Sequence, residues 1–393
     1  MYTHTHEKDI ENVLILQGGG SLGAFACGAC KTFAKNGIRF DIIAGTSIGS
    51  INGAIMAGSK NDNPAKDLED FWIEIAESSN NIIPDMFSYE YDYKNLQLNL
   101  KRSSSASLNA ATFGIPKFFV PRWFNCSMFP SHDFNILPSQ WTYIYDNTPL
   151  AQTLEKYIDF KKLSPDAKQN NNNNKYTKHN SNNNNPRLII TAVDVLTAEP
   201  IIFDSNKTQI EMRHLLATIG YPQYGFPWRE VEDGVYAWDG SLLSNTPIRE
   251  VMAASPSNDK NIFIVENYPK KIDNLPSNMT EVQSRAKDIM FTDKDQSLRS
   301  MSRLITKHIN LIETLYNIFK EHDHSKIDKD LINYIEKEHK ILVEKFGAKI
   351  LEIKRISREN SETPYPSQNA DFSVNTIKKL ITQGENKALD SLK

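Results

Sequence analysis

A serine between glycines, a run of glycines and an Asp-Gly pair are the parts of this 393-residue chain that could do chemistry together. Gly45-Thr46-Ser47-Ile48-Gly49 has the form G-x-S-x-G. The short apolar run Ile42-Ile43-Ala44 leads into it, and Ile48 to Met56 after it reads as a helix. In that setting the chain must turn sharply, and small flanking residues leave the Ser47 hydroxyl exposed as a nucleophile. The helix start behind it aims free N–H groups and partial positive charge at any negative charge that develops. The bland alternative is a serine in a tight glycine turn.

Gly18-Gly19-Gly20-Ser21-Leu22-Gly23 follows the apolar run Val13 to Leu16 and precedes a small-residue helix from about Ser21 to Ala34. It fits G-x-G-x-x-G, a dinucleotide fingerprint for NAD or FAD, which also needs an acid at the end of the second strand. Asp41 precedes that strand instead, and the strand ends at the serine turn. No G-K-[ST] follows, so a P-loop is excluded. The favoured reading is an oxyanion hole, in which Gly18, Gly19 and Gly20 let backbone N–H groups converge on one point. Two glycine turns on neighbouring parallel strands would meet at one sheet edge, where such sites form.

A serine nucleophile needs a base, and histidine is the usual one. The nine histidines are His4, His6, His132, His179, His214, His308, His322, His324 and His339, and none has a setting that recommends it. Asp239 is the alternative. In Val235-Tyr236-Ala237-Trp238-Asp239-Gly240-Ser241 an apolar strand presents a carboxylate at its end with a permissive turn after it. Asp-Gly is equally a plain turn signal.

The elements that must position these groups follow from apolar runs and glycine punctuation. Strand, glycine turn, helix, strand, turn, helix implies a parallel sheet covered by helices. Leu188 to Val193, Ile201 to Phe203, Val235 to Trp238 and Asn261 to Val265 are further strand candidates, so the first two-thirds reads as α/β. Residues 81–148 show no sustained periodicity, and residues 166–185 hold ten asparagines in twenty positions. Such a stretch cannot bury enough apolar surface to order itself and reads as a disordered surface insertion. From Met279 the texture becomes amphipathic, over Leu298 to Lys320, Leu331 to Ile356 and Ser373 to Leu392. The division expected is an α/β domain over 1–278 and a helical C-terminal extension over 279–393.

Composition bounds the rest. With 45 basic against 48 acidic residues the net charge is −3, which removes the electrostatic case for general nucleic-acid binding. Three cysteines cannot build a disulfide framework. The polar N-terminus lacks a signal peptide's apolar core, and no run approaches a spanning helix. These features read as a soluble, cytoplasmic protein, with peripheral membrane contact left open. Cys27-Gly28-Ala29-Cys30 invites a redox or zinc role, but lying within a small-residue helix it reads as packing. Asp194 reads as a turn residue. The aromatics from Phe113 to Phe129 read as core, with an acyl-chain pocket or a lid as the sharper alternative. Lys307, Lys320, Lys337, Lys340 and Lys345 read as solvated faces, or as an interfacial membrane surface.

Together Q-G-G-G-S-L-G at 17–23, G-T-S-I-G at 45–49 and W-D-G-S-L-L-S-N-T-P at 238–247 resemble the signature blocks of the patatin-like phospholipases, in the same order and spacing. The resemblance is close over 12–58 and 186–269. It implies a three-layer α/β/α fold and a Ser-Asp dyad, with Ser47 as nucleophile, Asp239 as base and main-chain N–H groups of Gly18 to Gly20 as oxyanion donors. Ser241 stands where the family often has Gly or Ala. The implied activity is hydrolysis of carboxylic esters of phospholipids or acylglycerols without metal or organic cofactor. A nucleotide-binding protein using the Gly18–Gly23 loop and a non-catalytic lipid-binding module on the same fold are the alternatives.

Overall fold

The computed structural model describes residues 9–80, 106–123, 141–167, 185–292, 296–322, 327–359 and 368–393. Most of the aromatic stretch, including Phe124, Cys126, Met128 and Phe129, and most of the Asn-rich insertion lie outside those residues.

In chain order the first half holds β1 (Ile10–Leu16), α1 (Ala24–Lys35), β2 (Ile42–Thr46), α2 (Ile48–Ala57), α3 (Pro64–Asn80), β3 (Val120–Pro121), β4 (Tyr145–Asp146) and α4 (Thr148–Leu154). Then come β5 (Arg187–Asp194), β6 (Pro200–Asp204), α5 (Met212–Thr218), β7 (Arg229–Glu232), β8 (Val235–Asp239), α6 (Ile248–Ala254) and β9 (Asp259–Glu266). The chain finishes with α7 (Met279–Phe291), α8 (Gln296–Glu321), α9 (Lys329–His339), β10 (Ile350–Ser357) and α10 (Val374–Leu392). All four strand runs expected after residue 185 are present.

The strands β10, β9, β1, β2 and β5 lie side by side and parallel, and β6, β8 and β7 extend the sheet antiparallel. The central strands are apolar along their length because both faces are covered. Leu14, Leu16, Ile43, Leu188 and Ile190 point to one core, with α1, α2, α3 and α10. Val13, Ile15, Ile42, Ala44 and Ile189 point to the other, against Ile248 and Val251 of α6. This is the three-layer α/β/α arrangement.

The C-terminal region departs from a purely helical extension. It is helical through α7, α8 and α9, but the chain then returns as β10, pairing parallel with β9 from Ile350↔Lys260 to Ser357↔Glu266. The stretch Leu331 to Ile356, expected to be helical throughout, therefore ends as a strand. Its apolar residues recur every third position because a register shift between Ile350 and Glu352 puts Ile350 and Ile353 on one face, while Ile356 packs in the core on the other. No described helix is long and apolar enough to cross a membrane.

Helix α10 belongs to the main layer and crosses α1 backbone to backbone. A Cβ on Gly28 would stand 1.9 Å from the Ile381 carbonyl oxygen, and one on Gly384 would stand 2.0 Å from that of Phe25. Thr32 Oγ1 donates to Glu385 O at 3.1 Å beside this crossing. Any side chain there must push the helices apart, and overpacking of this kind costs about 1–3 kcal/mol or more. Gly384→Val is thus expected to lower the urea midpoint clearly, while Lys378→Val, exposed on the same helix, leaves it nearly unchanged. Equal midpoints for the two variants would count against the close crossing.

Candidate active site

The site is set by one edge of β5. Residues 187–191 pair with β2, ending at Thr46↔Thr191. Residues 189–193 pair with β6, so β2 and β6 occupy opposite edges. Ala192 and Val193 pair with both β6 and β8, so β8 takes the edge that β2 has just left. It runs antiparallel and ends at Asp239↔Ala192, one step beyond Thr46↔Thr191. The ends of β2 and β8 therefore meet head on, with Ser47 following one and Asp239 closing the other. Thr46 and Thr191 hydroxyls hydrogen-bond at 2.9 Å next to this junction.

Ser47 holds φ 56° and ψ −130°, a conformation costly for a residue with a side chain. Tight contacts on either side impose it. A Cβ on Gly49 would lie 2.1 Å from Leu16 O, and one on Gly45 would lie 2.4 Å from Gly49 O. Ser50 Oγ donates to Gly45 O at 2.9 Å and closes the turn. Ser47 is partly exposed and stands at the N-terminus of the ten-residue α2. This is the strand-turn-helix context in which a nucleophile elbow occurs.

Asp239 is 1% exposed. Its Oδ1 accepts the Ser241 N–H at 2.8 Å. Oδ2 is buried without a fully formed hydrogen bond among the described residues, and the Ser47 hydroxyl interacts with the carboxylate more loosely. Burial pushes the pKa up to about 6, against the opposing effects of the Ser47 hydroxyl and the Ser241 N–H and hydroxyl. Among the described residues no histidine lines the cavity that Ser47 and Asp239 share.

The glycine run lies on the other side of Ser47. Register Leu16↔Gly45 puts Gly18 level with Ser47, and a Cβ on Gly18 would stand 2.7 Å from that of Ser47. Gly18 N–H donates to Asn245 Oδ1 at 2.9 Å. Of the three N–H groups expected to hold an oxyanion, that of Gly18 is thus already engaged. Those of Gly19 and Gly20, at φ 152° and 58°, make no hydrogen bond among the described residues. Buried side chains fix this loop. Gln17 Nε2 donates to Thr246 Oγ1 at 2.8 Å, and Gln17 Oε1 accepts the Asn267 N–H at 3.0 Å. Asn267 Nδ2 donates to Gln17 O and Gly18 O, each at 3.0 Å, and Arg358 Nε donates to Asn267 O at 2.7 Å. Asn245 Nδ2 donates to Phe291 O at 3.0 Å, tying the loop to α7.

A cavity of about 370 Å³ opens from these groups. Phe118, Phe119, Tyr145, Phe226 and Phe372 line part of it. They interlock, with ring centres 5.3 Å apart for Phe118 and Phe372, 5.2 Å for Phe119 and Tyr145 and 5.4 Å for Phe119 and Phe226. Of the aromatic segment, Phe118 and Phe119 are thus both buried and part of the cavity wall. Residues 368–372 close the site from the C-terminal side. Ser21 Oγ donates to Gln368 O at 3.2 Å, and a Cβ on Gly20 would lie 2.3 Å from Asn369 O.

The family model described as patatin-like phospholipase matches residues 14–252. The chain belongs to the patatin-like phospholipase family. No curated protein matches it. Among solved structures, VipD from Legionella pneumophila is similar at 12% identity and TM-score 0.35, over 100% of this chain and 69% of that one. ExoU, in its complex with SpcU from the type III secretion system of Pseudomonas aeruginosa, is similar at 16% identity and TM-score 0.27, over 72% of this chain and 50% of that one.

In this patatin-like domain the remaining sequence candidates stand away from the cavity. Asp41 lies before β2, at the strand end opposite Ser47, and its Oδ2 accepts the Asn12 N–H at 2.8 Å. It is not placed to hold a ribose at the glycine loop. Asp194 Oδ1 accepts the N–H groups of Leu196 and Thr197 at 2.7 and 2.9 Å, as a turn residue does. Cys27 and Cys30 are free and buried in α1, and burial pushes the Cys27 thiol far up and that of Cys30 to about 12. His214 stacks on Phe203 and caps α5. Asn245, Asn267 and the 368–372 segment are site-building residues to which the sequence reading assigned no role. Asn245 lies inside the W-D-G-S-L-L-S-N-T-P block, which was its one signal.

Two outcomes are expected. An acid whose folded pKa is raised stabilises the fold below its unfolded pKa, and that contribution is lost as pH rises through about 6. Asp239→Asn, which stays neutral, should therefore raise the melting temperature at pH 8, by the equivalent of about 2–3 kcal/mol, with the gain shrinking towards pH 4. A lower melting temperature at pH 8 would contradict this. Asn245→Ala removes the acceptor of Gly18 N–H and should lower kcat on an ester by about tenfold or more with a smaller change in KM, read by steady-state kinetics.

Proposed function

We propose that the protein is a serine lipid acyl hydrolase that cleaves carboxylic esters of phospholipids or acylglycerols. The observation that carries this reading is a buried, partner-poor carboxylate at the tip of β8 facing the strained serine at the tip of β2. In the reaction Asp239 accepts the Ser47 proton as Oγ attacks the ester carbonyl carbon. The N–H groups of Gly19 and Gly20, with the start of α2 behind them, hold the oxyanion. Collapse of the tetrahedral intermediate breaks the ester C–O bond, and the leaving alcohol takes the proton from Asp239. Water then gives a proton to Asp239 and attacks the acyl-serine; the bond between Ser47 Oγ and the acyl carbon breaks, Oγ takes the proton back from Asp239, and the fatty acid leaves. The aromatic wall of the cavity takes the acyl chain.

An ordinary aspartate, at a pKa of about 3.9, is a weak base towards a serine hydroxyl. Burial raises that basicity, and the opposing effects of the Ser47 hydroxyl and the Ser241 N–H and hydroxyl hold the pKa at about 6, so Asp239 is still ionised at neutral pH. No part of this scheme calls on a cofactor. The membrane lipid or acylglycerol supplies the ester and water the second substrate.

Hydrolysis of a short-chain p-nitrophenyl ester tests the scheme. Ser47→Ala and Asp239→Asn, each folded by circular dichroism, should lose kcat/KM by about three orders of magnitude or more. For the wild type, kcat/KM should fall on the acid side with an apparent pKa near 6. Turnover by Ser47→Ala at the wild-type rate would refute the serine assignment. A profile flat down to pH 4 in folded protein would refute Asp239 as the base.

A further inference from the structure

Helix α7 turns an apolar stripe to solvent. Met279, Val282, Ile289 and Met290 are 69, 45, 52 and 55% exposed. At about 100° per residue these four positions fall within a single arc of about 100°. The other side of the helix does the packing, through buried Asp288 and Phe291, and Phe291 lines the cavity. In the turn before α7, Leu275 is 91% exposed. A helix that only roofed the site would present polar residues outward, so this stripe is unexplained by the fold.

Cations border the stripe. Arg285 and Lys287 flank it on either side of α7. Arg285 Nη1 and Nη2 donate to Pro269 O and Lys270 O at 2.9 Å each, which brings the exposed pair Lys270 and Lys271 beside the helix. Lys287 Nζ stands 5.6 Å from the ring centre of Tyr224, a residue that lines the cavity. No ion pair joins Lys270, Lys271 or Arg285 to a carboxylate among the described residues, whereas Lys287 is partly desolvated and lies beside the buried Asp288 carboxylate. On the same helix Glu281 is held by Ser277 and Asn278 at the helix cap. Apolar side chains between cations suit the boundary of an anionic bilayer, where the former enter the acyl region and the latter meet phosphates. A second copy of this chain docked symmetrically would set these cations against their own images.

We propose that residues 270–290, with the outward stripe of α7 at their centre, are the surface by which the protein lies on an anionic lipid bilayer. The proposal rests on the lipid-ester reading for its purpose, because the docked face then stands beside the cavity that must receive the lipid. Phe291 at the end of α7 lines that cavity, and its carbonyl is tied to the glycine loop through Asn245.

Vesicle co-sedimentation tests this without turnover, using full-length Ser47→Ala protein with phosphatidylcholine vesicles that contain or lack phosphatidylserine. Binding to the phosphatidylserine vesicles is expected. Adding Val282→Ser and Ile289→Ser should weaken it by about tenfold or more, and adding Lys270→Gln and Lys271→Gln should abolish the preference for phosphatidylserine. With Ser47 intact, Val282→Ser and Ile289→Ser should leave p-nitrophenyl ester hydrolysis and the melting temperature unchanged. No vesicle binding by the parent, undiminished binding after the Val282 and Ile289 changes, or a dimer lost on those changes would overturn the proposal. A folded protein with Ser47 intact that hydrolyses no ester, while the Ser47→Ala parent still binds vesicles through this face, would sink the hydrolase reading and leave the docking surface standing.

Discussion

Ser47 and Asp239 come together because one edge of β5 serves two strands in succession. β2 uses that edge as far as Thr191 and β8, running the other way, takes it from Ala192. Backbone hydrogen bonds, spaced along a ladder, thereby set the separation of two side chains that lie 192 positions apart in the sequence. The other features of the site follow from this junction. Two strand tips in line leave little room, so β2 must turn away at once, and the abrupt turn places Ser47 outside the ordinary backbone regions. The same crowding buries the carboxylate that closes β8.

Both consequences are unfavourable in isolation, and the surroundings hold them in place. A buried carboxylate and a strained serine each cost free energy that the fold must supply elsewhere. Here the supply is a broad apolar sheet with two covered faces and a set of buried amides around the glycine loop. Asn245 and Asn267 satisfy backbone groups of the loop, and the Gln17 side chain ties it to Thr246 and to the Asn267 N–H. One result is a division of labour within the triple glycine. Gly18 is a fastening point, and Gly19 and Gly20 keep their N–H groups unclaimed by the described residues.

How much of this was legible in the sequence depends on what kind of force placed each residue. The glycine turns could be read because close backbone approach at Gly45 and Gly49 admits almost no other residue. The central strands could be read because a strand between two helical layers must be apolar on both faces. Strand β10 misled because a register shift puts Ile350 and Ile353 on one face and Ile356 faces the other core, so apolar residues fall three apart, as on a helix. Asn245 and Asn267 carried little signal, since a buried amide that bonds backbone from across 227 or 249 positions leaves no local pattern. The C-terminal segment was harder still. Phe372 stacks on Trp72 and meets Phe118, yet nothing near it in the sequence announces a cavity wall.

That last contact bears on how the protein is made. β1 lies between β2 and β9, and α1 is packed by α10, so the earliest residues of the chain wait for some of the latest. Ribosomes deliver the N-terminal part first, at about 5–20 residues per second. During that interval the elbow, the glycine loop and the aromatic wall lack the strand β9 and the segment from 368 to 392 that complete them. Nascent chains still tethered to the ribosome therefore carry Ser47 and Asp239 without the assembled pocket. Chain order alone thus delays assembly of the pocket until β9 and the segment from 368 to 392 have followed.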